Sequence, residues 1–221
     1  MSTHQNTERT IKVWDIPTRF FHWSLATLIV VAFISAEAGA SVFWVHVYSG
    51  TAVLGLVAFR LVWGVLGSRY ARFDDFVHGP DTVGTYAKKL MQFRPPHHVG
   101  HNPLGGWMVV ALLAAVMVIS LSGLMTSEDG YVGPLAFVGG GWIGELHEGL
   151  GHIWIPLVAF HVGGVLVHGL ISRENLVRAM VTGNKHVSGD DDTQGIRPIG
   201  FIRPAIAIVI GIAVSGYFLW I

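Results

Sequence analysis

The sequence predicts an all-α integral membrane protein, a four-helix transmembrane bundle with a fifth, C-terminal transmembrane helix, and three observations predict it. Hydrophobic residues fill 52% of the 221 positions and charged residues only 13%, where soluble domains carry about 25% charge, and the mean hydropathy is +0.54. Five apolar stretches, roughly 20–38, 43–67, 104–126, 147–171 and 202–221, match the length of about 20 residues that crosses a hydrocarbon core. The fourteen lysines and arginines all fall on one side of the bundle that these stretches define.

Taken in order, the first span follows Arg9, Lys12 and Arg19. Its apolar run ends in AEAGA, residues 36–40, which also resembles a secretory leader, but the segment is read as a retained span. The second carries His46 and, toward its end, Arg60, the one basic residue inside a span. After it comes a loop whose middle, Thr82 to Phe93, spaces Val83, Tyr86, Ala87, Leu90 and Met91 as a short helix lying on the membrane surface and stopped by Pro95 and Pro96. The third span opens at His101-Asn102-Pro103, with Asn102 as N-cap and Pro103 as first helical residue. The loop TSEDGYVGPLAFVGGGW reads as a compact cap, and GNKHVSGDDDTQGIRP as a polar, mobile loop. The fifth span, with Gly211 and Gly216, suits packing on the bundle or on a partner subunit. No internal repeat is evident, so one membrane domain results: a core over about 12–180 and a terminal helix over about 202–221.

Orientation follows from charge. The basic residues lie before span one, between spans two and three, between spans four and five, or, as Arg60, toward that same side, whereas the other loops hold acids such as Glu128, Asp129 and Glu145. The positive-inside rule makes the basic side cytoplasmic, with the N-terminus inside and the C-terminus outside. No basic stripe interleaved with aromatics points to nucleic acid. Cysteine is absent, which excludes disulfides, cysteine-ligated iron–sulfur clusters and covalent c-type haem. A metal or haem here must be held noncovalently, chiefly by histidine.

Histidine is costly in a membrane, yet LHEGLGHIWIPLVAFHVGGVLVH, residues 146–168, holds four. The spacing H-E-x-x-x-H misses the zinc-protease motif, because five residues turn about 140° and point His147 and His152 apart. Fourteen residues fall about 40° short of four turns, so His147 and His161 share a face about 21 Å apart. By depth, His46 pairs with His147 near the outer surface and His22 with His161 toward the cytoplasm. Two bis-histidine pairs stacked across the membrane are what two noncovalent haem b groups require, and iron held on both sides suits electron transfer rather than oxygen chemistry. Gly50, Gly55, Gly149, Gly151, Gly163 and Gly164 offer small surfaces for a macrocycle, though close helix packing predicts glycines equally. Arg60 either snorkels to the cytoplasm or pairs with a propionate of the inner haem, with Arg19 as second candidate. The outer propionates are left to backbone amides, Trp or Tyr donors, or water. The inner haem, beside positive charge, is expected to have the higher potential. His168 stands near the cytoplasmic rim, open to a propionate, a quinone or a plain interfacial role; His97, His98 and His101 read as interfacial, His4, His78 and His186 as solvated, and His152 has no role.

The runs WDIPTRFFHW, HVYSGTAVLGLVAFRLVWG, GHNPLGG, LHE and AFHVGGVLVHG resemble the prokaryotic cytochrome b561 family and the related di-haem cytochrome b subunits of nickel–iron hydrogenases, over roughly residues 12–180. The resemblance implies haem ligation by the first, second and fourth helices, matching His22, His46, His147 and His161, and the same pairing that depth gives. It implies electron transfer between the quinone pool and a periplasmic or membrane-bound redox protein, a multihaem cytochrome c or a hydrogenase-like enzyme, in a bacterial inner membrane, the chain being the electron-transfer subunit of an oxidoreductase complex. The fifth span departs from the four-helix members. A quinone site involving His101, Arg60 or His168 is a further expectation. Two other readings are a stand-alone oxidase acting on superoxide or quinone, and a histidine-lined proton or metal transporter, for which the inverted repeats and broken helices of transporters are not evident.

Overall fold

The computed structural model describes residues 9–128, 130–187 and 194–220. A short strand β1 (Arg9–Lys12) leads into α1 (Ile16–Glu37), where buried Asp15 caps the helix by accepting from the Thr18 N–H at 2.6 Å and Pro17 sits in the first turn. A 3-10 turn joins it to α2 (Phe43–Leu66). At the far end of α2 come α3 (Phe73–Phe76) and the amphipathic α4 (Pro80–Met91), the surface helix expected from the spacing and beginning two residues earlier. In α5 (Pro103–Gly123) Asn102 Oδ1 accepts from the Gly105 N–H at 2.8 Å, the cap expected at His101-Asn102-Pro103. A small hairpin of β2 (Ser127–Glu128) and β3 (Tyr131–Val132) precedes α6 (Ile143–Ser172), followed by α7 (Leu176–Thr182), β4 (Asn184–Val187) and α8 (Ile202–Trp220). Five of these helices are long and apolar enough to cross a membrane.

More than half of the second span is buried, because α1, α5 and α8 all pack on α2. Phe21 of α1, Phe59 and Trp63 of α2, Leu113 of α5 and Ala207 of α8 form one buried cluster; Val53 and Val57 of α2, Val116 of α5 and Trp154 of α6 form a second. The fifth helix belongs to the bundle. Gly55 and Gly211 let α2 and α8 meet so closely that a Cβ on Gly211 would stand 2.8 Å from the Gly55 carbonyl oxygen, and the Ser215 hydroxyl donates to the Thr51 carbonyl at 3.1 Å. Gly55 therefore makes room for α8, not for a macrocycle.

The segment 183–198 read as a mobile loop carries a strand near its start: β4 pairs antiparallel with β1, from Arg9 opposite Val187 to Lys12 opposite Asn184. Residues 188–193 and His4 lie outside the described residues. This ribbon covers Val13, Trp14, Tyr70, Ala179 and Val187 and ties the start of α1 to the segment after α6. His97, just before α5, also pairs with Glu174 after α6 at 2.6 Å. One end of the bundle thus gathers β1, α3, α4, α7 and β4; at the other, Tyr131 of β3 stacks its edge against Phe43 and Trp44 at the start of α2.

Candidate functional site

Helix α6 is the open side of the bundle. It packs along α5, very few of its residues are buried, and a Cβ on Gly149, Gly151, Gly163 or Gly164 would meet nothing within 4 Å. Pro156 sits mid-helix between its histidines and withholds a donor from the His152 carbonyl.

At the hairpin end His46 and His147 face each other with ring centroids 5.9 Å apart. His46 Nδ1 lies 2.9 Å from the Ala32 carbonyl oxygen and His147 Nδ1 2.9 Å from that of Ile119. A carbonyl can only accept, so both rings carry a proton on Nδ1, and each Nε2 is without a hydrogen-bond partner among the described residues. Such a second contact is how metal-ligating histidines are oriented. Ser122 Oγ adds a contact to His147 Nδ1 at 3.1 Å. Gly123 gives the His147 ring its place: a Cβ there would stand 2.8 Å from Cε1, a role that spacing alone did not reveal. A cavity of about 350 Å³ lies around the pair, bordered by Gly50, Thr51, Gly151 and Tyr131. His152 also borders it, although the helical angle turns it from His147, and stands 3.7 Å from Glu148 one turn away.

Toward the other end His22 and His161 face each other at 6.4 Å. His22 Nδ1 is buried and without a hydrogen-bond partner. Nearby, Arg60 is 2% exposed and does not snorkel to water. Its guanidinium lies 5.0 Å from the Phe73 ring centroid, 5.8 Å from Phe76 and 6.0 Å from Phe21, with Nη1 buried and unpartnered. Arg19 donates to the Thr182 carbonyl at 2.8 Å while its Nε stays buried and unpartnered. Asp15, which sequence reasoning passed over, is a hub: it caps α1, accepts from the Trp63 indole at 3.3 Å and takes the Ser68 hydroxyl.

His101 is not an interfacial residue. Its ring is held between Trp14 and Phe76, each centroid 4.7 Å away, and its Nδ1 is buried with no partner. Burial, reinforced by the Arg60 charge, pushes its pKa down to about 3. His168 instead meets the Tyr86 hydroxyl at 3.2 Å, beside His98, so the residues expected at a quinone site divide between two places. Burial lowers the pKa of His98 and raises that of Tyr86 to about 12.

The residues present fit haem. A metal–imidazole bond of about 2 Å on each side of an iron puts two facing ring centres about 6 Å apart, the separation both pairs have. Among the described residues no group of three or more His, Asp or Glu could hold a metal ion; the facing histidines come in twos. The family model for prokaryotic cytochrome b561 matches residues 13–183. The chain belongs to the prokaryotic cytochrome b561 family. It is accordingly a multi-pass membrane b-type cytochrome of electron transport. Comparison with curated proteins and with solved structures finds no match.

Proposed function

We propose that this b-type cytochrome holds two haem b groups, the outer between His46 and His147 and the inner between His22 and His161, and passes electrons between the quinone pool and a periplasmic or membrane-bound redox protein. The observation that carries the reading is the pair of histidine couples at 5.9 and 6.4 Å, both using α6. When bound, each haem would supply one-electron chemistry, held by the two histidines of its couple. The protein residues set its conditions. Ala32 and Ile119 carbonyls fix the outer imidazoles as Nε2 donors. Arg60, buried with an unpartnered Nη1, is the group for an inner propionate; Arg19, partly engaged with Thr182, is the second candidate. Positive charge there favours the reduced inner site and sets its potential above the outer one. His101 and Arg60 flank Phe76 and are the residues that a quinone near the inner pair would meet, while His168 stands apart from them against the Tyr86 hydroxyl. Fourteen basic residues on one side support a bacterial inner-membrane location with that side facing the cytoplasm.

The test is optical. Purified protein is expected to show a Soret band that sharpens on reduction, two haem b per chain by pyridine haemochrome, and low-spin electron paramagnetic resonance. His147→Ala and His161→Ala should each leave one haem. A folded, colourless protein ends the reading.

A further inference from the structure

A second cavity, of about 490 Å³, opens at the basic end of the bundle, where α6 finishes at Ser172 and the chain passes through Arg173 into α7. Glu174 is the carboxylate that lines it, and both its oxygens are engaged: Oε2 lies 2.7 Å from Lys185 Nζ and Oε1 2.6 Å from His97 Nε2. Lys185, almost buried, also donates to the His98 carbonyl at 3.0 Å. The lysine and the glutamate therefore cancel. Arg173 and Arg178 also line the cavity; both are exposed, and neither guanidinium has an ion-pair or hydrogen-bond partner among the described residues. His186 adds an imidazole whose Nδ1 meets Thr10 Oγ1 at 3.1 Å. The balance among these side chains is cationic at any pH where carboxylates are ionised.

Two features narrow what fits. The carbonyl end of α6 would oppose an anion, but the Gly169 carbonyl is already covered by the N–H groups of Arg173 and Glu174. Beside the cavity the surface is apolar: on α7, Arg178 and Thr182 stand four residues apart, one turn on the same side, while Val177 and Val181 form the neighbouring row and are exposed, as is Leu170 on the last turns of α6. Free cations next to bare aliphatic side chains, at the level where a membrane span ends, match a molecule that is anionic at its head and hydrocarbon below it. Basic pockets between helices on the cytoplasmic side take such lipids.

We propose that this cavity seats the phosphate headgroup of an anionic phospholipid, with the phosphate between Arg173 and Arg178 and the acyl chains along Leu170, Val177 and Val181. The site is independent of the haem assignment. It would brace the end of α6, the helix that supplies a histidine to each couple. The acidic run Asp190 to Asp192 follows β4 outside the described residues, so the full chain is the proper sample.

Native mass spectrometry of the purified full chain with dioleoylphosphatidylglycerol and dioleoylphosphatidylcholine tests this, with inorganic phosphate compared by thermal shift. The phosphatidylglycerol is expected to be retained over the phosphatidylcholine. At about fivefold per arginine near a membrane surface, Arg173→Gln with Arg178→Gln should weaken retention roughly thirtyfold, and Lys88→Gln with Lys89→Gln, exposed on the same end of the bundle, should leave it unchanged. Equal retention of the two lipids in the unaltered protein overturns the proposal, with no variant needed. Equal weakening by both variant pairs overturns it in favour of diffuse surface charge. Stabilisation by inorganic phosphate as large as by the lipid, and lost with the arginines, overturns the lipid in favour of a free anion.

Discussion

A buried arginine is expensive, and Arg60, enclosed by Phe21, Phe73 and Phe76 with its Nη1 bare and no ion pair among the described residues, calls for something it serves. If that is an inner propionate, Arg60→Gln should lower the inner midpoint potential by about 60 mV for a pairing worth about 1.4 kcal/mol, and leave the outer haem where it was. A redox titration in which the inner haem is the lower of the two in the unaltered protein would refute the assignment. His101 is expensive in a different way. Its pKa falls from 6.5 to about 3 on folding, through burial first and the Arg60 charge second. Because the folded value is depressed, the unfolded chain binds the proton first: stability is full above pH 6.5 and is lost as pH falls toward 3, by up to about 1.4 kcal/mol per unit. Thermal melts across that window should fall less steeply for His101→Gln than for the unaltered chain; parallel acid limbs would show that His101 does not carry this dependence.

Among the elements, α2 and α6 divide the work. Helix α2 is the centre of packing, and α6 holds two imidazoles while burying little of itself. Glycines that look alike in sequence do opposite things here. Gly211 meets Gly55 and closes the α2–α8 contact, whereas Gly149, Gly151, Gly163 and Gly164 border open space. Gly211→Leu would drive a Cβ against the Gly55 carbonyl oxygen at 2.8 Å, so the α2–α8 pair should lose about 1–3 kcal/mol, seen as a lower melting temperature with unchanged haem content. Gly216→Ala, with nothing within 4 Å, is the control and should melt as the unaltered chain does. The strand β4 was hidden in sequence because GNKHVSGDDD is polar and every residue of its partner β1 lies 172 to 178 residues before the one it faces; no local pattern announces a two-stranded ribbon at that separation.

For the whole molecule, the pairing of β1 with β4 and of His97 with Glu174 puts the start of α1, the end of α6 and the α2–α5 connection on one end, the end that carries the basic residues. With five spans and the basic end in the cytoplasm, as proposed, α8 ends on the opposite side. Alkaline phosphatase fused after residue 221 is expected to be active, and green fluorescent protein at the same point dark; the reverse pattern would invert the topology.

Hydropathy alone determined the class and the spans, since transfer into lipid depends on composition over about 20 residues and not on neighbours, and charge alone proposed the sidedness. Helical angle and depth alone proposed which histidines pair, because those follow from chain geometry within one helix and from position along each span. They could not tell which glycines leave space and which fill it, that Arg60 stays away from water, that His101 is enclosed by Trp14 and Phe76, or that α8 belongs to the bundle. Each of these is settled by what another segment places within a few ångströms, and only the tertiary structure decides it.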